Sequence, residues 1–394
     1  MTHARTSDRP AIPALPHVFQ IGSGWFPHSK GGAENVFHNV WQGLPAAGFT
    51  VGGIVPGPPD LARRTGGAID GFDADASWPR RALAIRAATA ARFRADPPDL
   101  VASHFALYAL PILDRLARTP LVTHFHGPWA LESRNEGAGA LSVKVKRSIE
   151  ALVYRRSDRL VVLSRAFADL LVEQHAVDRD RIRLVPGGVD CDRFDPPASR
   201  DAARRALGWD PGRPAILTVR RLVRRMGLDR LIDAMAILRN GPAAARDAVL
   251  HIAGTGRERA ALQARAAARG LENHVVFEGF VPDDRLPLAY RAADLTLIPT
   301  ATLEGFGLVA VESLAAGTPV LATDVGGLPE IVSPLSQRMV LGGTDDRGIA
   351  DAIGACLADP NLLPDQDACR RYARVNFDWS VITPRIAAVY HELL

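Results

Sequence analysis

Short apolar runs alternate with helical stretches along this chain, and that alternation restricts it to a parallel α/β architecture. In the first half, His17–Ile21, Val51–Val55, Leu100–Ser103, Leu121–His124 and Leu160–Ser164 read as strands. In the second half, Ala215–Val219, Val249–Ala253, Val275–Phe277, Leu295–Ile298 and Val320–Ala322 repeat the theme. Helices are expected between them, for example from Asn35 to Leu44 and from Ala106 to Ala117. Glycine and proline cluster at Val185-Pro-Gly-Gly-Val-Asp190, Asp195-Pro-Pro and Asp210-Pro-Gly-Arg-Pro214, which sets a boundary there. Residues 1–190 then form an N-terminal domain and 191–375 a C-terminal one, and 394 residues suffice for two cores. The expected fold is two Rossmann-like, doubly wound parallel-sheet domains facing a cleft. Residues just after strands would line that cleft.

Composition narrows the class. Apolar residues at 47% and charged residues at 23% exclude a disordered chain, and no apolar run is long enough to span a bilayer. The segment Met1–Pro10 lacks a signal-peptide core and reads as a loose tail. Three widely spaced cysteines fit a reducing cytoplasm and form no zinc pattern. A net charge of +4, with basic residues not interleaved with aromatics, argues against nucleic acid as a partner. Lys144, Lys146, Arg147, Arg155, Arg156 and Arg159 recur at near-helical spacing around Ile149, Leu152 and Val153. They are expected to form the solvated side of an amphipathic helix. The alternative is a peripheral contact with an anionic membrane, on its inner face.

The segment Glu304-Gly-Phe-Gly-Leu-Val-Ala-Val-Glu312 places two carboxylates around a glycine turn and a short helix that Gly317 and Pro319 end. Free N–H groups at such a helix start attract anions, and Gly305 and Gly307 let the backbone approach a ligand. The second glycine turn, Asp324-Val-Gly326-Gly327-Leu-Pro-Glu330, follows the next strand. Arg220, Arg221, Arg224 and Arg225 follow another, where guanidinium groups would neutralise a diphosphate. Gly254 and the Gly279-Phe280-Val281 stretch close two more strands and are suited to shaping a nucleotide pocket. After the first strand, Gly22-Ser-Gly24 leads to Pro27, so no dinucleotide fingerprint is complete. Gly31 and Gly32 then open a helix. His124 and His126, read as pointing to opposite faces, would not both face the cleft; His126 beside Gly127 is the candidate, and as a metal pair the two lack a third ligand. Asp73-Ala-Asp75 lies away from the other motifs and reads as chance.

In their order, Gly31-Gly-Ala-Glu34, Phe125-His-Gly127, Pro186-Gly-Gly-Val-Asp190, Glu304-x7-Glu312, Gly317-Thr-Pro and Gly326-Gly-Leu-Pro-Glu330 resemble a family 4 retaining glycosyltransferase of the GT-B fold. The resemblance covers nearly the whole chain. It implies transfer from a UDP- or GDP-sugar to a saccharide, lipid-linked or small-molecule hydroxyl, without metal or cofactor. It implies that Glu304 accepts hydrogen bonds from donor-sugar hydroxyls and that Glu312 binds the ribose. Backbone at Phe306, Gly307 and Leu308 would meet the diphosphate or the sugar, with Arg221 as the phosphate-binding arginine. His126 would lie near the reaction centre, and Gly31 and Gly32 between donor and acceptor. A final helix over 376–394 would return to the N-terminal domain. One departure stands out: Met226 occupies the place of the family's lysine, so that Arg225 or Arg224 must supply the charge if the site is active. Gly187 where many relatives have asparagine is milder. An oxidoreductase, an epimerase or phosphorylase on the same fold, and a non-catalytic sugar-nucleotide binder are the rival readings.

Overall fold

A computed structural model describes residues 15–29 and 31–394, so the expectation for Met1–Pro10 lies outside the described residues. The first domain carries β1 (His17–Ile21), β2 (Thr50–Pro56), β3 (Ile69–Phe72), β4 (Leu100–Ser103), β5 (Leu121–Phe125), β6 (Arg159–Val162) and β7 (Ile182–Leu184). They form one sheet in the order β3-β2-β1-β4-β5-β6-β7, every pairing parallel. The second domain carries β8 (Ala215–Val219), β9 (Val249–Ala253), β10 (Val275–Gly279), β11 (Leu295–Ile298), β12 (Val320–Thr323) and β13 (Val340–Leu341), in the order β10-β9-β8-β11-β12-β13. The winding direction reverses between β1 and β4 in one sheet and between β8 and β11 in the other. Ligands of doubly wound sheets bind at such reversals.

Six helices place the cleft: α1 (Gly32–Gly43), α2 (Trp129–Asn135), α3 (Ala140–Arg156), α4 (Leu308–Ala315), α5 (Gln366–Phe377) and α6 (Trp379–His391). The expected helix over 106–117 is instead a single turn, Ala106–Ala109, followed by a 3-10 segment, Leu110–Arg115. Pro111 at its start has no N–H to extend an α-helix.

The last two helices belong to different cores. Cys369, Ala373 and Phe377 of α5 pack into the second domain, whereas Ile382, Ile386, Val389 and Tyr390 of α6 are buried with Val18, Val40 and Leu100 of the first. The chain passes between them at Asp378, whose carboxylate accepts from Ser380 N at 2.9 Å and so caps α6. Residues 376 and 377 remain part of α5. The outward crossing lies alongside: Val189 N donates to Phe377 O at 2.8 Å, and Trp379 N donates to Val189 O at 3.2 Å.

Candidate functional site

The second-domain wall is built on the residue after β8. Arg220 is 8% exposed, and its guanidinium donates to Glu304 Oε2 at 2.5 Å and to the Thr300 hydroxyl. Thr300 also donates to Glu304, at 3.3 Å. Burying this pair is tolerable because each charge meets the other with hydrogen bonds. The glycine loops stack behind it. Gly254, at φ +139°, lies where a Cβ would strike Arg220 O, and Gly326, at φ +59°, where one would strike Glu304 O. Gly327 N donates to Glu304 O at 3.0 Å.

Gly307, left-handed at φ +95°, precedes α4. The side chain of Phe306 is turned into the core against Phe377, leaving its backbone for any ligand. The first domain closes on this loop. Phe167 leaves no space for a Cβ at Gly305, and a Cβ on Gly32 would lie 3.1 Å from Leu308. The starts of α1 and α4 therefore face each other across the cleft.

The four arginines separate. Arg225, its side chain 10% exposed, donates to Leu303 O at 2.7 Å and approaches Glu132 of α2 at 3.4 Å. Burial, with Arg221 and Arg220 nearby, lowers its pKa from the usual arginine range, though Glu132 and Glu304 oppose the shift. Met226 is buried in the second-domain core. Arg221 is 59% exposed and meets Glu136 of the first domain only at 4.0 Å, while Arg224 is exposed. The arginine that meets Glu304 is thus Arg220 and not Arg221.

Glu312 accepts from the Tyr290 hydroxyl at 2.8 Å. Burial pushes its pKa up to about 7 against the pull of Tyr290 and Arg193. It lines a cavity of about 390 Å³ with Asn35, His38, Arg193, Asp283 and Trp379, between the domains. Phe280 and Val281 follow β10, the first exposed and the second packed against the core.

On the first-domain side the expectation for the histidines fails. Residues two apart in a strand share a face, and His124 and His126 both stack with His104, at ring-centroid distances of 4.3 and 5.3 Å. His104 Nδ1 lies 3.1 Å from His126 Nε2, His104 Nε2 lies 3.1 Å from Gln20 Oε1, and His124 Nε2 lies 2.7 Å from the Tyr390 hydroxyl. Burial, reinforced by neighbouring rings, takes His104 well below the ordinary value and His124 to about 3; burial alone takes His126 to about 4. All three are neutral at pH 7. The sequence holds one signal for His104: it follows β4 as His126 follows β5. Gln20, Thr300 and Glu132 carried none.

The basic helix α3 is only partly a solvated face. Lys146 donates to Ser133 at 2.6 Å and lies 4.9 Å over the Trp129 ring, while Arg159, just beyond the helix, pairs with Glu392 at 2.8 Å. Lys144 and Arg155 are exposed, but so are Leu141, Val145 and Leu152. Among the described residues no helix is long and apolar enough to cross a membrane.

Two facing parallel-sheet domains, with glycine loops at both winding reversals and a paired Arg220–Glu304 charge at the second, define the GT-B class of architecture. The sequence profile of glycosyltransferase family 4 matches residues 30–193, and that of glycosyl transferases group 1 matches residues 199–376. A D-inositol 3-phosphate glycosyltransferase of Nocardia farcinica is 38% identical over 273 residues, 67% of this chain and 60% of that protein. One from Corynebacterium jeikeium is 32% identical over 304 residues, 75% of this chain and 72% of the relative. The first of these relatives is thus spanned over about three fifths of its length. The solved sucrose-phosphate synthase of Thermosynechococcus elongatus superposes with a TM-score of 0.80 at 22% identity, covering 96% of this chain and 99% of its own. The chain belongs to the family 4, group 1 glycosyltransferases.

Proposed function

We propose that this protein transfers a sugar from a UDP- or GDP-sugar to a hydroxyl acceptor, with retention of anomeric configuration. The observation that carries the proposal is the cleft wall where Glu304, held by Arg220 and Thr300, stands beside Arg225 at the start of α4. As the glycosidic bond breaks, negative charge grows on the leaving diphosphate. Preorganised cations and a helix start stabilise that charge without reorganising. Arg225, with Arg221 at the mouth, takes this role, which needs no metal, and the backbone of Gly307 and Leu308 faces the same charge. Glu304 accepts hydrogen bonds from the donor sugar and Glu312 from the ribose, with Gly254, Phe280 and Val281 bounding the nucleotide. Gly31, Gly32 and His126 complete the first-domain side. Attack comes from the face the diphosphate leaves, and a phosphate oxygen takes the acceptor's proton.

The relatives' names make a phosphorylated polyol the first acceptor to try, ahead of saccharides and natural-product hydroxyls. A lipid-borne acceptor is favoured by one observation, the exposed Leu141, Val145 and Leu152 beside Lys144 and Arg155 on α3. That face would hold the protein on the inner surface of an anionic membrane. The free cysteines fit work in the cytoplasm.

The test is a thermal-shift panel of UDP-, GDP- and dTDP-sugars, followed by release of nucleoside diphosphate with inositol phosphates and with lipid-linked saccharides in anionic vesicles. Acceptor-dependent release, with an α-configured product from an α-configured donor, is expected. Donor binding with no release across the panel would sink the catalytic reading.

A further inference from the structure

We propose that Gln20 and His104 are positioning residues that fix which ring nitrogen of His126 carries its proton. The chain of reasoning starts at Gln20, wholly buried in β1, whose side-chain carbonyl oxygen lies 3.1 Å from His104 Nε2. A carbonyl oxygen only accepts, so His104 Nε2 bears a hydrogen and donates. His104 is 2% exposed and neutral, and a neutral imidazole has one N–H; its Nδ1 is therefore an acceptor. Among the described residues, the group hydrogen-bonded to His104 Nδ1 is His126 Nε2, 3.1 Å away, which must then donate. His126 is neutral too, so its Nδ1 is left as a bare lone pair.

The stack keeps the rings in place for this. His124 lies parallel to His104 within 6°, and Phe37 closes on His104 edge-on at 5.3 Å. His126 is the one of the three histidines that retains exposure. A bare Nδ1 accepts from a sugar hydroxyl and repels a phosphate oxygen or any other acceptor. The opposite tautomer would do the reverse. Gln20, more than 100 residues from His126 in sequence, thus selects a hydroxyl as the partner of His126. This rests on the glycosyl-transfer reading only for the identity of that hydroxyl.

Selective ¹⁵N labelling of histidine with long-range ¹⁵N–¹H correlation spectra reads each ring's tautomer in the wild-type protein. His104 and His126 should both show a protonated Nε2 and a bare Nδ1; a protonated Nδ1 on His126 overturns the proposal. Gln20→Met keeps the length of the side chain and removes the acceptor, and among the described residues Gln20 Nε2 has no partner to lose. In that variant His104 and His126 should both move their proton to Nδ1. Transfer should fall about tenfold in kcat/KM, the worth of one hydrogen bond, with the Kd for free UDP or GDP unchanged. An unchanged tautomer, or a changed tautomer with unchanged kcat/KM, would refute it. The spectra need no substrate, so a failure of the relay and an absence of transfer activity are read separately.

Discussion

At position 226, where the family resemblance implies a lysine, stands a methionine that the core absorbs, and the residue before it turns a guanidinium into the cleft. Arg225 is held there by Leu303 O and Glu132, partners 78 and 93 residues away in sequence. A unit charge about 4 Å from a phosphate is worth up to roughly 4 kcal/mol at an effective dielectric near 20. Arg225→Ala should therefore weaken UDP or GDP binding at least roughly tenfold in calorimetry, leave uridine or guanosine binding nearly unchanged, and be partly rescued by Arg225→Lys. Equal losses for nucleotide and nucleoside would remove Arg225 from the phosphate site. The arginine run was legible as a cluster, but which guanidinium points inward was not. Long-range partners decide that, and the sequence does not display them. The same holds for Arg220, whose pairing with Glu304 spans 84 residues.

Among the elements, central strands were readable because both their faces are buried and their residues are uniformly apolar. Three strands that the apolar pattern does not mark, Ile69–Phe72, Ile182–Leu184 and Val340–Leu341, all lie at sheet edges. There one side needs no cover, and Asp70, Gly71 and Arg183 interrupt the apolar pattern. The glycine loops were legible as loops, and the structure adds what each glycine avoids. Gly208 and Gly326 both have left-handed backbone, at φ +73° and +59°, but only Gly326 has an atom, Glu304 O, where a Cβ would go. Gly208→Ala should cost about 1 kcal/mol of stability from backbone strain alone, with transfer intact. Gly326→Ala should cost more, by denaturant titration, and also depress kcat by displacing the Glu304 loop. Equal behaviour of the two variants would show that the loop does not position Glu304.

For the whole molecule, buried ionisable groups set how stability responds to pH. Burial raises Glu312 and Glu150 to about 7, so between roughly pH 4.5 and 7 the folded state holds protons that the unfolded state has released. Their contribution is full at low pH and is lost as pH rises through about 7. His104, His124, His126 and His175 are lowered by burial, and their contribution is lost as pH falls below about 6.5. Glu312→Gln should accordingly gain Tm relative to wild type on going from pH 5 to pH 8. A Tm difference that stays constant across that range would show that Glu312 does not titrate there.

The return of the final helix to the first domain was implied by family resemblance rather than by any residue pattern. Its consequence is mechanical. The outgoing strand at Val189 and the returning one at Asp378 run side by side, bonded backbone to backbone, with Trp379 packed where a side chain on Gly188 would be. Together they make a hinge with two pins. Bending about the line through both pins leaves these bonds in place, whereas twisting one domain against the other must shear them. Any opening of the cleft about that line would keep one lateral register and return Gly32 to Leu308.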